Sequence, residues 1–214
     1  MGSFLGKIRV PDRKNSIGQQ AAISTGIAIL GFLLGVMQKW IDGMPSNALP
    51  LLFQRVDIRN YFGRLAIWIL LATIISVYAY TPIRASINTF LFLISMVAGY
   101  YLYCNFVLGF LNLTYMLVWI VIAAISTVLA FVCWYAKGNG IIAIAISAII
   151  IGVLFSQAIL ITQRVYVTHI LEVITWIIGV LILKRKLKEF AFEIGLSFVV
   201  AIVYQLTVMH YIGM

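Results

Sequence analysis

Charged residues are scarce in this sequence: they make up 10% of its 214 residues, whereas 64% are hydrophobic. About a quarter of a soluble domain is charged, because a globular surface must be covered with polar groups. The shortage therefore excludes an ordinary water-soluble domain. Proline is also rare, with four in the chain, so the long apolar runs are seldom interrupted. Runs of about 20 apolar residues are typical of membrane helices.

Cysteine and catalytic motifs are equally sparse. The two cysteines, Cys104 and Cys133, lie in apolar segments without a CxxC partner or a histidine at metal-binding spacing. We expect buried free thiols, no disulfide and no metal site. Ser197, in GLSF, lacks the second glycine of a nucleophile elbow. Paired acids for intramembrane proteolysis and glycine loops for phosphate are missing too, so the sequence predicts no enzyme and no cofactor.

The net charge of +9 comes from lysines and arginines in short loops beside apolar runs. This distribution does not form the basic polar surface of a nucleic-acid-binding protein, so no such partner is expected. It fits the bias that orients membrane proteins. With the N-terminus in the cytoplasm, ten Lys and Arg residues fall inside and five outside, which favours that orientation.

The predicted fold class is all-α: a polytopic transmembrane helix bundle of about seven spans, or six if one late segment does not cross. Long apolar runs exclude a barrel, whose strands alternate over about ten residues. We predict one integral membrane domain over 1–214, with a cytoplasmic segment 1–17 and a long outer loop 39–62. The predicted spans are 18–38, 63–80, 83–107, 113–135, 140–161, 166–183 and 189–210.

Two boundaries and one loop have local causes. Thr81 followed by Pro82 predicts a helix start, since the hydroxyl caps the helix and proline suits its first position. Segment 137–140, KGNG, predicts a tight turn. Loop 39–62 begins with turn residues and continues with LLFQRVDIRNYF, which mixes apolar and charged residues. It is interpreted either as an amphipathic connector or as a lid over an outward cavity.

The first span carries a stripe of small residues at helical spacing. Because steps of three and four return to one face, the stripe lets a second helix approach closely. One interpretation is packing inside the bundle, and the alternative is docking on a membrane-protein partner or a homo-oligomer. The stripe consists of Ala21, Ser24, Ala28, Gly31 and Gly35.

Polar residues inside apolar spans are the best pointers to a site, because each is costly unless it is paired or hydrated. His169 and Glu172 are three residues apart and share a helix face. They form either an interfacial charge cluster with Arg164, or a proton or cation site at the outer mouth. The candidate solute or ion site comprises His169, Glu172, Gln157, Ser156, Trp176, Tyr100 and Tyr101.

The other candidates also have two interpretations. Gln157, beside Ser156, either bonds across helices or lines a polar cavity. Tyr100 and Tyr101 belong either to an aromatic belt or to an aromatic wall around a flat solute. Trp176 sits in the middle of its span, where a belt does not explain it.

Three stretches carry a resemblance: GFLLGVMQKWID at 31–42, YTPIRASINTFLFLISMVAGYY at 80–101 and WYAKGNG at 134–140. They resemble a family of uncharacterised bacterial multi-pass membrane proteins, which implies a bacterial cytoplasmic (inner) membrane. The chain is also similar, more loosely, to the substrate-binding membrane subunits of energy-coupling-factor transporters. That likeness implies solute binding, and docking on a partner through a small-residue face of an early helix.

Two functions follow as hypotheses. The first is a protein that binds or transports a small solute, indicated by loop 39–62, the aromatic rims and the pair His169 and Glu172. The alternative is an accessory or assembly subunit of a membrane complex with no solute of its own, indicated by the small-residue stripe. If Gly31 and Gly35 pack inside the bundle and a wet cavity opens under loop 39–62, the first hypothesis is favoured. If the stripe faces lipid and the interior is dry, the second is favoured.

Overall fold

The computed structural model describes residues 4–11, 16–161 and 165–209, and they form an all-α protein. One short antiparallel hairpin interrupts the helices, formed by β1 (Ile159–Ile161) and β2 (Val165–Val167). The helices are α1 Phe4–Ile8, α2 Ile17–Asp42, α3 Leu51–Arg55, α4 Ile58–Tyr61, α5 Leu65–Val77, α6 Pro82–Phe106, α7 Leu113–Trp134, α8 Gly140–Ala158, α9 Ile170–Leu183 and α10 Leu187–Tyr204.

Five of the described helices, α2, α6, α7, α8 and α10, are long and apolar enough to cross a membrane. Much of their apolar surface is exposed, as on α7, and is suited to lipid contact. The chain is therefore a membrane-embedded protein. Helices α5 and α9 are apolar but have 13 and 14 residues, a rise of roughly 20 Å against a hydrocarbon core of about 30 Å. The predicted count of seven spans is thus not confirmed.

At the hairpin, two helices are shorter than the predicted spans by three and four residues. The span predicted over 140–161 ends as a helix at Ala158, and the one predicted over 166–183 begins as a helix at Ile170. The residues between them pair as strands, with Leu160 opposite Tyr166. Isoleucine and valine are rich here, and a short apolar run of such β-branched residues is compatible with either helix or strand. At the chain's end, α10 is followed by a π-helical stretch, Gln205–Met209.

The helix starts follow capping chemistry. Thr81 caps α6, because the backbone N–H of Arg84 donates to its Oγ1 at 3.1 Å and Pro82 occupies the first turn, as the sequence predicts. Ser16 caps α2 through a reciprocal pair with Gln19: each backbone N–H donates to the other side chain. Helix α8 begins at Gly140, whose φ of +83° suits glycine.

The chain divides into two compact units. The first unit comprises Met1–Val10, Arg55–Ile74 and Tyr135–Met214, and the second comprises Pro11–Gln54 and Ile75–Trp134. In the first unit, α8 is the central helix and packs on α9 and α10. In the second, α6 packs on α2 and α7. That the chain is one domain stays a prediction.

Helices α2 and α6 of the second unit touch through their backbones. A Cβ added at Gly31 or Gly35 would collide with the backbone carbonyl of Phe92 or Met96 of α6. Ser24 is also buried, while Ala21 is exposed and Ala28 is half-buried. Most of the small-residue stripe is therefore engaged in packing within this unit, where close backbones supply the dispersion contacts that hold membrane helices together.

Candidate functional site

Four charged or titratable side chains meet at the start of α9 in the first unit; we call Asp57, Arg64, His169 and Glu172 the Glu172 cluster. Glu172 lies in the first turn of α9 and is 1% exposed. The Nε of Arg64 donates to Oε1 of Glu172, and its Nη1 donates to Oδ2 of Asp57 at 2.8 Å. Nε2 of His169 lies 3.6 Å from the same Asp57 oxygen. One guanidinium thus bridges two carboxylates.

Local backbone structure places Arg64 beside α9. Residues 57–64 form the short helix α4 and a turn, closed by hydrogen bonds from Gly63 N to Asn60 O and from Arg64 N to Tyr61 O. Asp57 has a φ of 54°, a left-handed conformation that aspartate tolerates better than most residues. Its Oδ1 accepts from Asn60 Nδ2 at 2.8 Å, which leaves Oδ2 for Arg64.

A hydroxyl chain fastens this segment to α9. Thr175 Oγ1 donates to the carbonyl of Leu171 at 2.7 Å, so it accepts the hydrogen of Tyr61 Oη, 2.6 Å away. Burial raises the pKa of Tyr61. Trp68 Nε1 also donates to the carbonyl of Phe62 at 2.9 Å. The segment that carries Arg64 is therefore held at several points.

Three buried polar atoms in or beside the first half of α9 have no hydrogen-bond partner among the described residues: Arg64 Nη2, Glu172 Oε2 and Trp176 Nε1. Two are donors and one is an acceptor. Trp176 lies one turn beyond Glu172 on the same helix face, and its ring meets Phe155 edge-on with centroids 5.3 Å apart. Buried polar atoms are rarely left unpaired in native proteins, so these call for an explanation.

The remaining candidate residues do not join this cluster. Ser156 Oγ donates to the carbonyls of Gly152 and Ala201, at 2.9 and 3.3 Å, and so belongs to the packing of α8 on α10. The carbonyl of Gln157 accepts from Thr168 Oγ1 at 2.7 Å, beside the hairpin.

Tyr100 and Tyr101 belong to the second unit. The Lys39 ammonium lies 5.2 Å from the centroid of the Tyr100 ring, a cation–π arrangement. The hydroxyl of Tyr101 is buried without a partner among the described residues. Of the two tyrosines, Tyr100 is thus the one that contacts a lysine in the last turn of α2.

The partner of Glu172 is a residue that the sequence analysis did not assign to the site. Arg164, which was predicted to join an interfacial charge cluster with His169 and Glu172, lies outside the described residues. Arg64 contacts Glu172 from 108 positions away. The available signal was its place on the same predicted outer side, directly before an apolar run. Asp57 and Tyr61 were missed because their proximity to α9 is tertiary. Thr175 lies in α9 and was missed because its contact with Tyr61 is tertiary.

A second buried ion pair lies at the other end of α9, where Arg185 meets Glu193 of α10. Nε of Arg185 is 3.4 Å from Glu193 Oε1, and its Nη1 donates to the carbonyl of Gly138 at 2.8 Å. Nη2 donates to the carbonyl of Ala136. Arg185 is 9% and Glu193 0% exposed, whereas His169 of the Glu172 cluster is 42% exposed. The two carboxylates are thus equally buried, but the Glu172 cluster includes an exposed side chain.

Within the described ranges, no group of three or more His, Cys, Asp or Glu residues is arranged to hold a metal ion. Cys104 and Cys133 are free thiols. The fold and its ion pairs define a membrane-embedded, all-helical protein with charged groups buried at both ends of α9. Comparison with family models, curated proteins and solved structures finds no match.

Proposed function

We propose that this protein binds or transports a small polar solute, and that the Glu172 cluster is its binding site. The observation that carries the proposal is the set of buried, unpaired atoms at Arg64, Glu172 and Trp176. Charged groups inside a membrane protein are costly, and they commonly mark solute or ion pathways. A solute that accepts from both Arg64 and Trp176 and donates to Glu172 would satisfy all three atoms.

Access and charge support the same site. Asp57 is 29% and His169 is 42% exposed, so the cluster opens to solvent while Glu172 stays buried. Two carboxylates share one guanidinium, which leaves a formal charge of about −1 when His169 is neutral. A solute carrying an ammonium or amide N–H group would meet a negative field there.

We place the protein in the bacterial cytoplasmic membrane with its N-terminus in the cytoplasm and seven crossings. Contacts in the first unit support this: Asn139 N donates to Ile8 O at 2.7 Å, and Arg185 donates to Gly138 O. Three segments predicted to be cytoplasmic thereby meet. Labelling single cysteines introduced at Lys186 and at Arg55, after Cys104 and Cys133 are replaced, should succeed from opposite faces. Labelling of both from one face would contradict seven crossings.

The accessory-subunit hypothesis has less support, because the feature that prompted it is already engaged. Gly31 and Gly35 face the backbone of α6 within their own unit. They are therefore not available to pack against a helix of a second protein. Solute handling accordingly stands as the proposed function.

The test is ligand-induced stabilisation of the full-length protein in lipid nanodiscs. A panel of amino acids, amines, carboxylates and monovalent cations is screened by thermal shift. A ligand at 100 times its Kd should add about 2.7 kcal/mol to the free energy of unfolding. Glu172→Gln should lose the shift, whereas Glu189→Gln, which alters an exposed carboxylate, should keep it. Equal shifts in wild type and Glu172→Gln, or no shift with any compound, would refute the proposal.

A further inference from the structure

Three separate segments of the first unit meet at the end of α9 opposite the Glu172 cluster. The end of α1 contacts turn 135–139, since Asn139 N donates to Ile8 O at 2.7 Å. The same turn contacts the α9–α10 connection, since Arg185 donates to the carbonyls of Gly138 and Ala136. Ile8 itself is 6% exposed. These contacts hold the three segments as one surface.

The surface is strongly basic, and we call it the basic end. Its acidic groups, among the described residues of these segments and the first turns of α10, are Glu189 and Glu193. Glu193 is buried against Arg185 and contributes little outward field, which leaves Glu189 as the exposed acid. Besides Arg185, the cations of the basic end are Lys7, Arg9, Lys137, Lys184, Lys186 and Lys188.

Large apolar side chains are exposed among these cations. Leu187 is 83% exposed, Val10 is 76% exposed and Ile141 is 62% exposed. Lysine side chains beside such residues can lay their methylenes on apolar surface and extend their ammonium groups to the headgroup level. Cations mixed with apolar residues are typical of a surface that sits at the membrane interface.

We propose that the basic end is a binding site for anionic phospholipids of the leaflet that faces it. The lysines of the α9–α10 connection, Lys184 and Lys186, bind the headgroup phosphates, and Leu187 contacts the acyl chains. Clusters of four to eight Lys and Arg residues beside a membrane helix attract anionic lipid, by roughly fivefold in affinity per cation. The proposal is independent of the solute site, since it uses none of that site's residues.

Native mass spectrometry of the detergent-purified full-length protein tests the site, using phosphatidylglycerol and phosphatidylcholine with identical acyl chains. The wild type should bind phosphatidylglycerol at least tenfold more tightly. The double variant Lys184→Gln with Lys186→Gln should lose about 25-fold in affinity for phosphatidylglycerol, fivefold for each cation removed, and stay within twofold for phosphatidylcholine. The charge-matched control Arg55→Gln with Arg59→Gln should bind like wild type.

Three results would overturn the proposal: equal binding of both lipids by wild type, equal losses in both double variants, or displacement of phosphatidylglycerol by millimolar inorganic phosphate. The last would identify a site for free phosphate instead. If the first variant does not fold by helical circular dichroism, Lys7→Gln with Lys137→Gln tests the same surface. The conservative variant Lys184→Arg with Lys186→Arg should retain full affinity, because the charge is kept.

Discussion

Replacing Arg185 by methionine is the sharpest test of how the buried ion pairs act in this fold. The change removes the counterion of Glu193 and the donors to the carbonyls of Gly138 and Ala136. Glu193 is 0% exposed, so its carboxylate would be left charged and unpaired. Breaking a buried ion pair in this way costs about 3–5 kcal/mol.

A double-mutant cycle separates the charge from the hydrogen bonds. In the double variant Arg185→Met with Glu193→Gln no uncompensated charge remains, and the cost should fall toward the two lost carbonyl hydrogen bonds, about 1 kcal/mol each. We therefore expect the double variant to be more stable than Arg185→Met alone, by about 1–3 kcal/mol. Adding Glu193→Gln would then recover part of the free energy of unfolding that Arg185→Met loses.

The assay is unfolding by sodium dodecyl sulfate in mixed micelles, followed by far-ultraviolet circular dichroism. A control cycle with Lys186→Met and Glu189→Gln, at exposed positions of the same region, should give a coupling energy below about 1 kcal/mol. A double variant no more stable than Arg185→Met would refute the reasoning, because the ion pair would then not be the source of the loss.

Three further predictions concern packing, a hydrogen bond and pH. Gly35→Ala should destabilise the protein by about 1–3 kcal/mol, because the new Cβ collides with the backbone of Met96. The control Gly26→Ala, at a position with open space around it, should be neutral or stabilise the protein by up to about 1 kcal/mol. Equal melting temperatures for the two variants would contradict this prediction. Ser24→Ala removes a 2.7 Å hydrogen bond to α6 and should cost about 0.6–1.7 kcal/mol in the same micelle assay, with no cost counting against the bond. Because burial raises the pKa of Tyr61, its phenol ionises at a lower pH in the unfolded chain than in the folded protein. The stability that the neutral phenol contributes is therefore complete below the unfolded pKa of about 10, and it is lost as pH rises through the folded pKa. Thermal melts from pH 8 to 11 should therefore fall less steeply for Tyr61→Phe than for wild type, and parallel curves would disprove the link.

The long helices could be predicted from the sequence, because local residues determine where they begin and end. Helix α6 begins where Thr81 and Pro82 predict it, and α7 ends within one residue of the prediction. The hairpin was not accessible, because Ile159–Ile161 is as apolar as the helix before it. Its strand conformation depends on pairing with Val165–Val167, which is a tertiary event.

The site divides in the same way. Glu172 and His169 were found because a carboxylate and an imidazole in an apolar segment are costly wherever they fold. Their partners were not found, because Arg64 and Asp57 reach them only through the turn around Gly63 and the left-handed Asp57. Sequence chemistry identifies the group that needs a partner, and the fold decides which partner it receives.

Helix α9 explains why both ion pairs are buried. Its 14 residues rise roughly 20 Å, so if it crosses the membrane both ends lie below the headgroups of a hydrocarbon layer of about 30 Å. Glu172 and Glu193 are 1% and 0% exposed there, so these two carboxylates must find partners inside the protein.

The ion pairs at the two ends of α9 have different partners and different exposure. Arg185 gains backbone carbonyls in addition to Glu193 and is 9% exposed, so its pair is nearly closed and acts as a structural clamp. Glu193 keeps an unpaired atom among the described residues, as Arg64 and Glu172 do. The Glu172 cluster differs because Asp57 and His169 beside it are 29% and 42% exposed. An ion pair with a purely structural role does not need unpaired atoms next to exposed side chains. A binding site needs both the unpaired atoms and the exposed side chains. That difference is the reason for assigning the solute to the Glu172 cluster and the structural role to Arg185.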